Sequence, residues 1–299
     1  MKNMRKMMAV ALSAAMVLAL GACGGESTSS NSSTQSGSTS TDGKVYNIGI
    51  CQQLEHPALD AATEGFEAAL KDKLGDNVKF DLQNAQNEQA NASTIANNFV
   101  SGNVDLILAN ATLALQACAA ATTDIPILGT SVTDYATALE MSDWSGATGR
   151  NISGTSDLAP LDEQENMLVE LFPDAKNVAI LYCSAEANSK YQATEFEKYL
   201  DEDSISYKEF TASDSNDIGS VVQSAIEYAD VIYIPTDNTM AQNTEAINNI
   251  ALPAGVPIIA GESVAVVVLQ HFPSATMISD TKQERWLMTF LSTVQIFQL

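Results

Sequence analysis

Polar side chains that could recognise a small ligand lie in loops that follow short apolar runs of this sequence. Hydroxyl and amide groups can donate to a carboxylate, an aspartate can accept from an ammonium group, and a helix that begins in such a loop adds its own N–H groups. This combination suits a small polar ligand. The candidate binding residues are Gln52, His56, Asn110, Thr112, Ser131, Thr133, Asp134, Asp157, Asn188, Thr236, Asp237 and Asn238.

Helix capping is the alternative explanation for these residues. Ser, Thr, Asp and Asn are preferred at helix N-caps, so capping accounts for any one of them without a ligand. Six loops of the same kind, each after an expected strand, favour a binding site when the residues are taken as a set.

Signatures of catalysis are missing from the sequence. Residues 129–133 and 154–158 each begin the G-x-S-x-G nucleophile pattern and lack its last glycine. No Walker loop or G-x-G-x-x-G pattern follows a strand, and His56 is the only histidine before residue 271. The sequence therefore predicts a binding protein, not an enzyme, with no cofactor and no metal site.

The cysteines give no sign of a disulfide framework or a zinc ribbon, because none of the four forms a C-x-x-C pair. Cys51, Cys118 and Cys183 lie in or beside apolar segments. They are expected to be buried free thiols.

The elements that must position the polar loops alternate between strand and helix in two successive series. Near-continuous apolar strands of this kind are typical of parallel sheets covered on both faces. The pattern predicts an α/β fold with two doubly wound lobes, residues 44–150 and 151–262, and a boundary near 147–152. Ligands bind outside the carboxyl ends of such strands, so we expect the site in a cleft between the lobes. The predicted helices include 86–101, 157–171 and 238–250.

Charge and length limit the possible partners. Among 299 residues 37 are acidic and 14 basic, which gives a net charge of −23. No basic patch can dominate such a surface, so nucleic acid is excluded as a partner. The length suits two domains, and an apolar content of 45% is enough to give each a core.

The N-terminus has the pattern of a lipoprotein signal peptide, residues 1–22. Basic residues precede the apolar stretch Met7–Leu20, which is too short to span a bilayer. The sequence Leu20-Gly21-Ala22-Cys23 matches the bacterial lipobox and predicts lipid attachment at Cys23. An ordinary secretory signal cut elsewhere is the alternative. Residues 23–43, rich in Ser, Thr and Gly, are predicted to be a polar tether to the membrane.

Several segments of the body resemble one group of bacterial lipoproteins. They are LEHPALDAATEGF at 54–66, SVTD at 131–134, SGTSD at 153–157, EANS at 186–189, and IPTDNTM and PAGVPIIAGE in the stretch after Val231. Their order along residues 45–262 resembles the substrate-binding proteins of ABC transporters in the tryptophan/tyrosine-type group. The resemblance implies a type I periplasmic-binding fold whose two lobes close over a small ligand. It also implies extracytoplasmic delivery of that ligand to ABC permease subunits.

The resemblance extends to the ligand and to individual residues. The group's ligands are mostly aromatic amino acids, and the matching loops contain Thr133, Asp134, Asp157, Asn188 and Asn238. Hydroxyl and amide groups would hold the carboxylate of an amino acid, and Asp157 or Asp237 would accept from its ammonium group.

Two positions and one further function remain open. Tyr135 stands where the family is expected to have proline, which predicts a loop of different shape. His56 before Pro57 is family-like, but a role at the helix entry explains it equally. A ligand-sensing lipoprotein that presents its bound state to a membrane receptor is the alternative function, because the same fold serves both roles.

Residues 263–299 form an atypical tail that we expect to be frameshifted. The family resemblance stops after Glu262, and the tail has no glycine, whereas the preceding residues have 16. A shifted reading forces aspartate at Met277 and Met288, as in a family-like continuation. The alternative is a divergent tail. A frameshift would leave the second lobe and the return crossover to the first lobe incomplete.

Overall fold

Strands and helices alternate through the part of the chain that this computed structural model describes, residues 44–261. The predicted signal peptide, Cys23, the tether and the segment 263–299 lie outside the described residues. The strands are β1 (Tyr46–Gln52), β2 (Val78–Asn84), β3 (Leu106–Asn110), β4 (Ile127–Val132), β5 (Ile152–Ser156), β6 (Asn177–Cys183), β7 (Ser206–Ala212), β8 (Val231–Ile234) and β9 (Ile258–Ala260). The helices are α1 (Pro57–Leu74), α2 (Gln89–Ser101), α3 (Thr112–Ala121), α4 (Tyr135–Ala138), α5 (Leu161–Leu171), α6 (Ala187–Glu202), α7 (Ile218–Tyr228), α8 (Asn238–Gln242) and α9 (Thr244–Ala254).

The first lobe is built on a five-stranded parallel sheet in the order β2-β1-β3-β4-β5. Side chains of β1 alternate between its two faces. Ile48 and Ile50 pack in one apolar cluster, and Cys51 packs in the cluster on the other face. Because both faces are covered, the strand is a continuous apolar run, as the sequence analysis assumed.

The second lobe has a four-stranded parallel sheet in the order β7-β6-β8-β9 within the described residues. Strand β6 again faces two clusters, with Leu181 in one and Ile180 in the other. Phe196 of α6 stacks on Tyr233 of β8 with ring centroids 3.6 Å apart and planes 8° from parallel. The predicted α/β fold with two parallel sheets is confirmed.

Each sheet has one point where the strand order reverses. In the first lobe it lies between β1 and β3, and in the second between β6 and β8. The loops that leave neighbouring strands there run in opposite directions and open a crevice at the carboxyl edge. The loops after β1, β3, β6 and β8 are therefore the ones that form a ligand crevice.

The predicted lobe boundary is wrong by one strand. No strand was predicted at residues 152–156, which were placed in the second lobe, but β5 forms there and pairs with β4 in the first sheet, with Ile152 opposite Ile127 and Ser156 opposite Val132. The chain therefore leaves the first sheet after Ser156. The predicted helix 157–171 begins only at Leu161, because Pro160 disfavours the helical conformation in the residue before it.

Two other predicted helices also differ from the structure. The helix expected at 86–101 begins at Gln89, because Gln86 and Asn87 have left-handed φ values of 55° and 60° that no α-helix accepts. The helix expected at 238–250 is divided into α8 and α9 at Asn243.

The three cysteines of the described region are free and buried, which confirms the expectation for Cys51, Cys118 and Cys183. Within residues 44–261 no helix has the length and hydropathy needed to cross a membrane.

Candidate functional site

Two of the predicted binding residues hold helix α1 in place. The Gln52 side chain donates to the Leu54 carbonyl at 2.9 Å and to Asp60 Oδ1 at 2.6 Å, and it accepts from Thr63 Oγ1 at 2.7 Å. The Asn110 amide donates to the Leu59 carbonyl at 2.8 Å and to Thr63 Oγ1 at 3.0 Å. These buried amides therefore fasten the start of α1 to the ends of β1 and β3.

His56 is the N-cap of α1. Its Nδ1 accepts from the Ala58 N–H at 3.2 Å, and burial lowers the pKa of the imidazole. The ring is therefore neutral near pH 7 and acts as an acceptor at the helix entry. This is the helix-entry role that the sequence analysis had left open.

Helix α3 begins at the buried Thr112 without a side-chain cap. Its N-cap residue, Ala111, has φ 80° and ψ 166°, a backbone conformation that alanine rarely adopts. The N–H of Leu113 donates to Gln53 Oε1 at 3.1 Å. The first turn of α3 thus lies at the switch point of the sheet, beside the end of β1.

Strands β4 and β5 bring the next group of predicted residues to the same edge. Ser131 has a left-handed φ of 55°, and Thr133 is buried and accepts from Ser156 Oγ at 2.8 Å through its carbonyl. Asp134 is the N-cap of α4, where its Oδ1 accepts from the Thr137 N–H at 2.7 Å. The Asp134 carboxylate is therefore engaged in holding this loop.

Asp157 differs from Asp134 and Asp237, the other predicted binding acids, because part of its buried carboxylate is unused. Its backbone N–H donates to the Val132 carbonyl at 3.1 Å. Oδ1 is buried and has no hydrogen-bond partner among the described residues. Burial raises the pKa of Asp157 to about 6, although the Thr133 hydroxyl donates to the carboxylate and opposes the shift. A buried acceptor in this state is suited to a cationic partner.

Tyr135 lies against this edge of the sheet. Its hydroxyl donates to the Thr155 carbonyl at 3.1 Å, and the ring covers Gly129 and Gly154, where a Cβ atom would overlap the hydroxyl. Burial, and then the Asp157 carboxylate, raise the pKa of Tyr135, so the phenol stays neutral.

The second lobe is organised around one buried carboxylate, Glu186, in the loop after β6. Oε1 accepts from the N–H and the hydroxyl of Thr239 at 2.8 and 2.7 Å. Oε2 accepts from the N–H and the amide of Asn238 at 3.1 and 2.8 Å, and from the amide of Asn188 at 3.2 Å. Glu186 therefore joins the loops after β6 and β8 at the second switch point.

Asp237 and Thr236 complete this network. Asp237 is the N-cap of α8 and accepts from the N–H groups of Met240 at 2.8 Å and Cys183 at 2.7 Å. Burial, and then the nearby Glu186, raise the pKa of Asp237 well above its ordinary value. The Thr236 carbonyl accepts from Asn188 at 3.1 Å and from Gln192 at 3.0 Å. Both oxygens of Asp237 are thus occupied, so of the two acids considered for an ammonium group it is Asp157 that has a buried oxygen without a partner among the described residues.

Within residues 44–261 the lobes meet across the cleft at more than one place. Asn87, in the loop after β2, donates through its amide to Thr239 Oγ1 at 2.8 Å. Helix α4 packs near α6, where burial and then the Asp134 charge raise the pKa of Tyr191. Residues from both lobes therefore surround the carboxyl ends of the strands.

Sequence reasoning missed three residues of this arrangement, Asn87, Glu186 and Thr239. Glu186 lies inside the EANS segment, but its partners are 52 and 53 residues away in sequence. The sequence offered one signal for Glu186, its position directly before a helix that begins at the end of a strand. Within residues 44–261 no group of three His, Cys, Asp or Glu side chains is arranged to hold a metal ion.

Comparison with known proteins gives a family and a curated relative. The family model described as ABC transporter substrate binding protein matches residues 47–268. A tyrosine-binding protein of Clostridioides difficile (strain R20291) is 38% identical over 240 residues, which are 79% of this chain and 69% of the relative.

Two solved structures differ in how well they superpose on this chain. The ABC domain from Streptococcus pneumonia in complex with L-Trp has a TM-score of 0.72 at 30% identity, over 75% of this chain and 77% of that one. The ligand-free, open structure of a substrate-binding protein with adhesive properties from Clostridium difficile has a TM-score of 0.52 at 37% identity, over 74% and 76%. At nearly equal coverage, this chain thus superposes better on the L-Trp complex than on the ligand-free, open structure.

The α/β fold with two parallel sheets agrees with this similarity. Substrate-binding proteins of ABC importers work outside the cytoplasm, and they bind solutes without transforming them. The chain belongs to the ABC transporter substrate-binding protein family and is the substrate-binding protein of an ABC transporter.

Proposed function

We propose that this protein captures a free aromatic α-amino acid between its lobes and delivers it, chemically unchanged, to ABC permease subunits. The observation that carries the proposal is the buried Oδ1 of Asp157, which has no hydrogen-bond partner among the described residues. An α-ammonium group would supply the missing donor and a compensating positive charge. Asp237, the other acid considered, has both oxygens occupied.

The start of α3 is the proposed site for the ligand's carboxylate, although the Leu113 N–H already donates to Gln53 Oε1. Its first turn offers backbone N–H groups and the Thr112 hydroxyl, and the positive end of the helix dipole favours an anion there. The ends of β3 and β5 are separated by two strand spacings, or about 9.5 Å. An α-amino acid with a hydrogen bond of about 2.9 Å at each end spans about 8 Å. Asp157 and the α3 terminus are thus suitably spaced for an amino-acid zwitterion.

The aromatic nature of the side chain is supported by the relatives, since one is a tyrosine-binding protein and another was solved with L-Trp. Both are at least 30% identical to this chain.

Isothermal titration calorimetry with L-tryptophan, L-tyrosine and L-leucine tests the proposal. We expect the aromatic amino acids to bind and Asp157→Asn to weaken them by about 10- to 150-fold, the effect of losing a charged hydrogen bond of about 1.5–3 kcal/mol. Asp162→Asn is the matched control, because Asp162 is an exposed carboxylate on α5. Binding that survives unchanged in Asp157→Asn would refute the ammonium site. Absence of binding by either aromatic amino acid would refute the ligand class.

We further propose that the protein is held at the outer face of the membrane by a lipid on Cys23, after removal of the signal peptide 1–22. The lipobox and the polar tether that follows support this anchor. Palmitate labelling in the native host should mark the wild type and not Cys23→Ala, which should be released from the membrane fraction. Equal labelling of both proteins would place the anchor elsewhere.

A further inference from the structure

We propose that Asn87 and Thr239 form a latch that holds the two lobes closed, with Glu186 as its anchor. The Asn87 amide belongs to the first lobe and the Thr239 hydroxyl to the second, and the two are 2.8 Å apart. The latch concerns the closing of the cleft, so it does not depend on which ligand is bound.

On the side of the second lobe, the latch is fixed by the Glu186 carboxylate. The Thr239 hydroxyl donates to Glu186 Oε1 at 2.7 Å, and the Thr239 N–H donates to the same oxygen at 2.8 Å. With its proton committed to Glu186, the hydroxyl offers its lone pairs to Asn87. Thr239 and Glu186 are both buried, with 3% of each exposed.

On the side of the first lobe, the latch is fixed by Gln53. The side-chain amide of Gln53 donates to Asn87 Oδ1 at 2.8 Å. The backbone carbonyl of Gln53 accepts from the backbone N–H of Asn87, also at 2.8 Å. Gln53 is itself fully buried and accepts from the N–H of Leu113. These hydrogen bonds hold the Asn87 side chain in one orientation, from which its amide nitrogen donates to the other lobe. Little side-chain freedom is therefore lost when the latch forms.

The backbone of the latch loop has an unusual conformation. Gln86 and Asn87 follow one another with φ values of 55° and 60°. Outside glycine this region is sparsely populated, and asparagine is among the residues that tolerate it. The loop turns back over the end of β1, where Ala85 N–H donates to the Gln52 carbonyl at 2.9 Å. This turn brings Asn87 to the cleft.

The latch lies far from the segment that joins the lobes, so a small rotation between the lobes is enough to separate its two partners. Strand β5, from which the described chain crosses to the second lobe, lies at one edge of the first sheet, and β2 lies at the other. Asn87 is therefore three to four strand spacings, or about 14–19 Å, from the crossover. A rotation of about 10° around the crossover would separate the two partners by about 3 Å, enough to break the hydrogen bond. The contact can exist only when the cleft is closed.

A contact made only in the closed form should slow ligand release. One neutral hydrogen bond corresponds to a factor of about three to ten in the dissociation rate. We expect Thr239→Val, which keeps the side-chain shape without the hydroxyl, to raise the dissociation rate by this factor. The association rate should not fall, because the ligand-free cleft of the variant is open at least as often as that of the wild type.

Stopped-flow measurements with L-tryptophan and L-tyrosine test this expectation. Thr239→Ser restores a hydroxyl and should release ligand at nearly the wild-type rate. Asn87→Gly keeps the left-handed backbone and removes the amide, so it should raise the dissociation rate by a similar factor. The double variant should show no further increase, because both changes remove the same bond. Additive effects, or a Thr239→Val dissociation rate equal to that of the wild type, would refute the latch.

Small-angle X-ray scattering without ligand separates this proposal from the identity of the ligand. Thr239→Val should show a larger radius of gyration than the wild type, whereas Thr239→Ser should not. Equal radii for all three proteins, together with a failure of both amino acids to bind, would overturn the latch as well as the proposed ligand. A larger radius for Thr239→Val alone would support the latch even if neither amino acid binds.

Discussion

Acidification should weaken ligand capture through Asp157. Burial raises the pKa of this carboxyl to about 6 in the ligand-free protein. An ammonium ligand binds the ionised form, so the proton must leave before the ligand can use the acceptor. Affinity should therefore be nearly full above about pH 7 and decline as the pH falls through about 6.

The size of the effect follows from the ionised fraction of Asp157. With a pKa of about 6, about nine-tenths of the carboxyl groups are ionised at pH 7 and about one-tenth at pH 5. A free amino acid keeps both of its charges over this range. The dissociation constant should therefore rise about tenfold between pH 7 and pH 5.

The raised pKa of Asp157 has the opposite effect on the stability of the folded protein: stability rises as the pH falls. An acid whose pKa is raised in the folded state costs stability when it is ionised, and the cost is relieved as the pH falls from about 6 toward the ordinary value near 4. Protonation of Asp157 should thus weaken binding without destabilising the ligand-free protein. This separates the expected loss of affinity from acid unfolding.

Calorimetry with L-tryptophan at several pH values, with circular dichroism as a check of folding, is the appropriate assay. Asp157→Asn should bind more weakly at pH 7 and lose most of the pH dependence. Nearby, Tyr135 stays neutral throughout, and burial lowers the pKa of His56. A wild-type affinity that is equal at pH 5 and pH 7 would refute the assignment of Asp157.

The remaining predictions concern packing. Gly154→Ala would place a Cβ against the Tyr135 hydroxyl and the Gly129 carbonyl and should cost about 1–3 kcal/mol in thermal unfolding. Gly65→Ala, in α1 with open space around it, is the control and should stabilise by about 0.5–1 kcal/mol; equal effects at the two sites would contradict the packing argument. Tyr233→Phe removes the buried hydroxyl that donates to the side chain of Gln164 at 2.7 Å. It should cost about 1–3 kcal/mol in urea unfolding, and an unchanged midpoint would show that Gln164 finds another partner.

The strands were predictable because burial on both faces makes them continuous apolar runs, as in β1 and β6. The order of the strands in the sheet depends on which connections cross over. No local feature of a single sequence encodes those crossovers. Strand β5 shows the limit. It is short and its residues are mostly half-buried, so only its pairing with β4 assigns it to the first lobe.

The sequence predicted where the polar strand-end residues lie better than it predicted what each of them does. Residues at strand ends did gather at the cleft edges, but the sequence could not distinguish a loop fastener such as Asn110 from an open acceptor such as Asp157. That distinction depends on partners far away in sequence. Asn87 was missed for a different reason: its left-handed backbone lies where the sequence predicted the first turn of a helix.

The network around Glu186 has a consequence for how ligand preference can change during evolution. Its five hydrogen bonds hold two loops of the second lobe together without using a ligand atom. Substitutions near β4 and β5 can therefore alter the lining of the cleft while this framework keeps its shape. Paralogues with new solutes should vary first around Ser131 and Tyr135, and should retain an acid at position 186.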